Sequence, residues 1–367
     1  MTRLSWRLEP RAHAGPALVL AASLGAILAA LLVTGLIFAA YGHNAIAAYR
    51  MLIESTLADF RGFSEVLRKT TPLLLGGVGL VLAFRMKFWN IGAEGQILAG
   101  AAGATWVALF TPFSGWLTIP AMFTAGFLAG AAWGFLPALL KVRLGVNEII
   151  TTLMMNYIAL YLVQYLILGP WRGPTQRGFA YTDRFPPEAT LPLLEGTRLH
   201  WPTLAIGLAL ALLVAFLLAR TRLGFEVRVI GNSQSAARYA GIGFLRVTLL
   251  VMFISAGAAG LAGVGEVAGV HHRLLDPNQV SLGFGYTAII VALLARGSPL
   301  AAVLTATFLG FVFASGDVMR VTLQLPFQMT GVISGLVLFF LIAVEPVLRY
   351  RLRRVAPQLK EGEGNRA

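Results

Sequence analysis

The sequence predicts an all-α integral membrane protein of about ten transmembrane segments, with broken half-helices, an inverted repeat and both termini on the cytoplasmic side. Three observations carry that expectation. Of the 367 residues, 57% are hydrophobic and only 12% charged, against roughly a quarter charged in ordinary globular chains. Apolar stretches recur near 16–40, 72–86, 93–111, 116–140, 147–168, 202–219, 247–268, 284–296, 299–315 and 327–344, most of them approaching the ~20 residues that a bilayer requires. Threading the chain through those ten stretches divides Arg and Lys 19 to 10 in favour of the side that holds the termini, as the positive-inside rule demands of a cytoplasmic face.

The net charge of +13 therefore reports topology and does not call for a nucleic-acid partner. Arg3, Arg7 and Arg11 precede the first apolar run, but Pro16–Ala40 is much longer than the 7–15 residues of a signal core and is read as a retained helix. Next, Ile46, Tyr49, Ile53, Leu57, Phe60, Phe63 and Leu67 recur at intervals of three and four, with Arg50, Glu54, Arg61, Glu65 and Arg68 on other faces. This pattern predicts an amphipathic helix lying at the outer interface. The expected division is residues 1–69 for these two helices, 70–345 for one transmembrane domain and 346–367 for a basic cytoplasmic tail, frayed from Arg349. Pro, Gly and charge make 169–200 an external loop, and the second long polar stretch, 220–246, lies inside. Residues 70–168 and 247–344 each hold about four spans with glycine-broken segments at similar places, the arrangement of transporters built from inverted repeats.

Within the spans, the break at 88–96 is the most informative. Asn90, Gly92, Glu94, Gly95 and Gln96 interrupt an apolar run, preceded by Phe88 and Trp89. Non-helical backbone at membrane depth is tolerated where it faces protein or a water-filled cavity, and a carboxylate on a lipid-facing helix costs about 2.5–3.5 kcal/mol even on the lenient insertion scale. Glu94 is thus expected to face inward, either capping the amides of the half-helix that follows it or accepting hydrogen bonds from a polar solute. Asn147, Glu148, Thr152 and Asn156 form a second polar set, the last three sharing one helix face. They bind neighbouring helices or form a wall facing solute. Glu266 lies among small residues in "GLAGVGEVAG", which allow close helix approach. Inside, Asn232 or Ser233 caps a short helix that Gly241 ends. That helix carries Ser235, Ala236 and Ala237, with Arg238 and Tyr239 as its bulky projections, and it either inserts into a groove of another protein or rests on the membrane surface.

The chemistry that can be excluded is broad. The absence of cysteine removes thiolate zinc sites, iron–sulfur clusters and a cysteine nucleophile. His271-His272 lacks a third ligand, so no metal is expected. None of the four lysines follows a glycine, so there is no phosphate loop, and no catalytic residues or enzyme activity are expected.

"FWNIGAEGQILAG", "GVNEIITTLMMNYIA" and "GNSQSAARYAGI" resemble permease subunits of ABC importers for nucleosides and simple sugars, within the group that includes ribose and branched-chain amino acid permeases. The likeness runs from about residue 60 to 345. It implies a multi-pass protein of the bacterial inner membrane that binds no cofactor itself. It also implies three kinds of partner: a cytoplasmic ATPase that uses ATP and magnesium, a second and different permease chain, and an external solute-binding protein or lipoprotein. By the same resemblance, Gly231, Asn232, Ser235, Ala236, Ala237, Arg238, Tyr239, Gly241 and Ile242 are the segment that couples to the ATPase. The "NIGAEGQ" string is nearer the nucleoside branch than the ribose branch. A simple-sugar permease of the same type, or a proton-coupled transporter working alone through its buried carboxylates, are the alternatives. The solute path is then expected along Phe88, Trp89, Asn90, Glu94, Gln96, Asn147, Glu148, Thr152 and Asn156.

Overall fold

The computed structural model describes residues 5–11, 15–175, 178–326 and 328–355. In chain order it contains β1 (Ser5–Pro10), α1 (Pro16–Ala40), α2 (Ala45–Leu57), α3 (Phe60–Arg85), α4 (Ala93–Phe110), α5 (Thr118–Leu144), α6 (Glu148–Leu168) and α7 (Trp201–Arg220). There follow α8 (Arg222–Asn232), α9 (Gln234–Tyr239), α10 (Phe244–Gly265), α11 (Pro277–Ser281), α12 (Phe284–Leu294), α13 (Pro299–Thr322), α14 (Met329–Arg349) and β2 (Tyr350–Val355). Among the described residues, eight segments are long and apolar enough to cross a membrane, including α10 extended by a π-helical turn to His271 and α11 joined to α12. The remaining two expected spans are present as α4, whose first turn carries Glu94 and Gln96, and as the shorter apolar stretch Met329–Val344 of α14.

Local chemistry explains several of the boundaries. Pro16 opens α1, where its missing N–H costs nothing. Gly145 ends α5 in the left-handed region at φ 68°, and the Asn147 side chain then caps α6 by accepting from Ile149 N at 2.9 Å. Ser298 caps α13 through Ala301 N at 3.3 Å.

Two expectations need correction. The amphipathic stretch is not one interfacial helix: Asp59 accepts from Gly62 N at 2.7 Å and starts a new helix, α3, which runs without interruption across the boundary expected at residue 69. The first half remains separate as α2, and its Ile46, Ile53 and Leu57 point outward. The tail is also ordered further than expected, since β2 pairs antiparallel with β1 from Ser5↔Val355 to Pro10↔Tyr350. Residues 356–367 lie outside the described residues.

The chain separates into two compact units, one of residues 1–46 with 331–367 and one of residues 47–330. In the first, the β1–β2 ribbon brings both ends of the chain side by side. In the second, α3 and α10 are the most deeply buried spans. Its helix pairings are symmetric. α3 packs on α13, α12 and α10, while α10 packs on α5, α4 and α3, and α4 also meets α12. Exchanging α3 with α10, α4 with α12 and α5 with α13 reproduces the same set.

Close approach depends on glycine where α4, α5 and α10 cross. A Cβ on Gly100 would lie 2.2 Å from the Gly260 carbonyl oxygen, and one on Gly260 would lie 2.3 Å from that of Gly126. Small residues let membrane helices gain van der Waals contact that lipid does not supply. The 170–200 loop closes one end of this unit: Thr182 N donates to Leu274 O (3.1 Å), Phe185 N to His272 O (2.8 Å) and Leu191 N to Ala268 O (3.0 Å).

Candidate functional site

Two half-helices meet inside the 47–330 unit. α12 has 11 residues, roughly 16 Å at 1.5 Å per residue, and just beyond its far end Gly297 O accepts from Arg85 Nε at 2.8 Å. Its first turn therefore lies about half a hydrocarbon thickness, of some 30 Å, from the Arg85 level. There Gly285 touches the start of α4, and a Cβ on it would fall 2.2 Å from Glu94 N. Two helix N-termini, both carrying partial positive charge, thus converge there.

The buried Glu94 carboxylate answers that charge, with Oε2 accepting from Gly285 N at 2.8 Å. The sequence suggests that it caps its own half-helix, whereas the structure shows it capping the partner half-helix α12, 191 residues away. α4 is capped instead by Asn156 of α6. Its Oδ1 accepts from Gly95 N at 2.8 Å, while Nδ2 donates to Ile91 O at 2.9 Å and to the Tyr286 hydroxyl at 3.4 Å. One turn below, the Thr152 hydroxyl accepts from Ile91 N at 3.1 Å and donates to Glu148 O at 2.6 Å. Asn90 and Gln96 form a reciprocal amide pair at 2.9 and 3.1 Å, and Asn90 also reaches Ser255 of α10 at 3.3 Å. An unpaired buried donor or acceptor costs about 1–3 kcal/mol, so this network is what allows the chain to leave helical geometry at membrane depth.

The structure thus brings Asn90, Glu94, Gln96, Thr152 and Asn156 together, each buried and each engaged with protein. The other four candidates stand apart from this knot. Glu148 pairs with Lys141 at 2.6 Å, Asn147 is the α6 cap, Phe88 is buried, and Trp89 is partly exposed with its ring 5.0 Å from that of Phe84. Ser255 and Tyr286 belong to the knot and were not singled out by the sequence. A lone serine or tyrosine in an apolar span carries no local signal of its long-range partner.

The polar segment between α7 and α10 forms at the opposite end of the unit from the 170–200 loop. Gly231 at the end of α8 lies against the end of α3, where a Cβ would come within 2.1 Å of Arg85 O. Of the two possible caps, Ser233 is the one used for α9, accepting from Ala236 N at 3.2 Å. Gly241 then turns the chain at φ 71°. Ala237 is buried, whereas Ser235, Ala236 and Arg238 are exposed and Tyr239 is 97% exposed.

Residues 62–342 match the family model described as branched-chain amino acid transport system / permease component. The chain belongs to this permease family. Three relatives match the permease nearly end to end. The glucose ABC transporter permease protein TsgB13 of Haloferax volcanii is 35% identical over 357 residues, covering 94% of this chain and 93% of the relative. The guanosine ABC transporter permease protein NupP of Bacillus subtilis is 31% identical over 352 residues (93% and 96%). The nucleoside ABC transporter permease protein NupB of Lactococcus lactis is 31% identical over 353 residues (93% and 95%). The permease thus shares nearly its whole length, and not only a motif, with proteins of this kind.

Proposed function

We propose that this permease is the membrane-spanning subunit of an ATP-driven importer for nucleosides, in the bacterial inner membrane. The observation that carries the reading is the near full-length match to two nucleoside permeases. A second reading, import of a simple sugar, is favoured by the 35% identity to a glucose permease. Energy comes from a separate ATPase that binds ATP and magnesium, docked where α9 presents Arg238 and Tyr239, which makes the α8–α9 end cytoplasmic. ATPase closure tilts α8 and α9, and the contact of Gly231 with Arg85 passes the movement to α3 and so to the half-helix knot.

A second permease chain covers the outer face of α6. Tyr157, Tyr161 and Tyr165 recur there every fourth residue and are all exposed in the isolated chain. Tyr157 is the tenth of 21 residues in the helix, so at that depth its hydroxyl has no water unless protein or a solute path faces it. Of the three carboxylates open to a proton relay, Glu94, Glu148 and Glu266, the first two are partnered by Gly285 N and Lys141, which favours the ATP-driven reading. An external solute-binding protein delivers the solute at the 170–200 loop.

The test is uptake by proteoliposomes holding the permease, its partner permease, the ATPase and the binding protein, with tritiated guanosine and tritiated D-glucose offered separately. Guanosine uptake that requires both ATP and the ATPase is expected. Uptake of glucose alone selects the second reading, and uptake by the permease without ATPase contradicts both.

A further inference from the structure

A cavity of about 890 Å³ opens beside the 170–200 loop, lined by the first turns of α3, the π-helical turn after α10, the last turns of α13 and loop residues 196–198. It lies within the ~300–1,000 Å³ range of small-molecule sites, and none of the residues of the half-helix knot lines it. Its wall is built from charge at unusual depth. Arg68 Nε donates to Glu65 Oε2 at 2.7 Å, and Lys69 Nζ lies 3.4 Å from Asp317 Oδ2. Glu266 differs from these. It is 2% exposed, lies 3.9 Å from His271 Nε2, and its carboxylate accepts no hydrogen bond among the described residues. His271 Nε2 is likewise buried without a hydrogen-bond partner.

Buried polar atoms are almost always satisfied, and each exception calls for an explanation. Here the unsatisfied His271 Nε2 borders the void beside the Glu266 carboxylate. The lining supplies four cationic side chains (Arg61, Arg68, Lys69 and Arg198) and four carboxylates (Asp59, Glu65, Glu266 and Asp317), so its formal charge is balanced and no ionic ligand is selected. No Phe, Tyr or Trp lines it, which leaves no stacking platform for a base. Hydroxyl groups suit such a wall, because each donates to a carboxylate and accepts from an ammonium or guanidinium group.

We infer that this cavity binds a small neutral polyhydroxylated ring, the ribose of a nucleoside or a free sugar, with Glu266 and His271 as its hydrogen-bonding partners. The inference rests on the proposed transport of nucleosides or sugars, and it places the ring on the loop side of the half-helix knot.

Equilibrium dialysis of the full-length chain in nanodiscs tests it, with tritiated guanosine and tritiated D-glucose as probes. At least one probe is expected to bind, and Glu266→Gln to weaken that binding tenfold or more. Val318→Trp, which fills the cavity from a half-buried apolar position and replaces no member of the charge pairs, is expected to do the same. If guanosine is the bound probe, 2′,3′-dideoxyguanosine should displace it at least tenfold less well than unlabelled guanosine, and free guanine not at all. Binding of neither probe to the unaltered chain, or unchanged affinity in a monodisperse Val318→Trp chain, overturns the assignment. ATPase-dependent uptake that survives Val318→Trp at the parental rate removes this inference and leaves the transport reading standing.

Discussion

Glu94 shows how a single side chain can be read correctly in kind and wrongly in connection. Its charge, its depth and its glycine neighbours indicate an inward-facing cap, yet the amide it serves belongs to Gly285, and no local pattern specifies a partner so far away in the chain. The consequence is measurable. Glu94→Ala leaves a buried amide without an acceptor and is expected to lower stability by about 1–3 kcal/mol, whereas Glu94→Gln keeps an oxygen in place and should lose less. Thermal unfolding of the purified chain in detergent compares the two, and equal losses would argue against the cap. The stripe Glu148, Thr152 and Asn156 was legible as one face from its four-residue spacing. Its role was not, because the same spacing serves a wall for solute or a seam against α4, and the hydrogen bonds to Ile91 and Gly95 show the seam.

At the level of elements, hydropathy located nearly every helix, since membrane spans are selected by length and apolarity alone. It failed at α3, whose start the three-and-four spacing up to Leu67 assigns to an interfacial helix within residues 1–69, the last two of which are Arg68 and Lys69. In the fold these two side chains are buried beside Glu65 and Asp317, and charge that is paired inside protein disappears from a hydropathy reading. The glycine pattern of α10 was better evidence, because a small residue facing a crossing has a direct steric meaning. Gly260→Ala places a methyl group against the backbone of α5 and is expected to cost roughly 1–3 kcal/mol or more through overpacking. A chain that unfolds at the parental temperature after this substitution would show that α4, α5 and α10 do not cross there.

At the largest scale, the symmetric helix pairings and the convergence of α4 and α12 describe a 47–330 unit with one loop-covered end and one end carrying α8 and α9. Only the packing shows that α4 and α12 meet at Gly285 and Glu94. ATP-driven import by this permease requires that α9 face the cytoplasm and the 170–200 loop face outward. Because the natural chain contains no cysteine, single cysteines report this without background. Glu195→Cys is expected to react with a membrane-impermeant maleimide in intact cells. Tyr239→Cys should react only after the cells are opened, and should be shielded when the ATPase is bound. Labelling of Tyr239→Cys from outside intact cells, at the rate seen for Glu195→Cys, would contradict the account at its root.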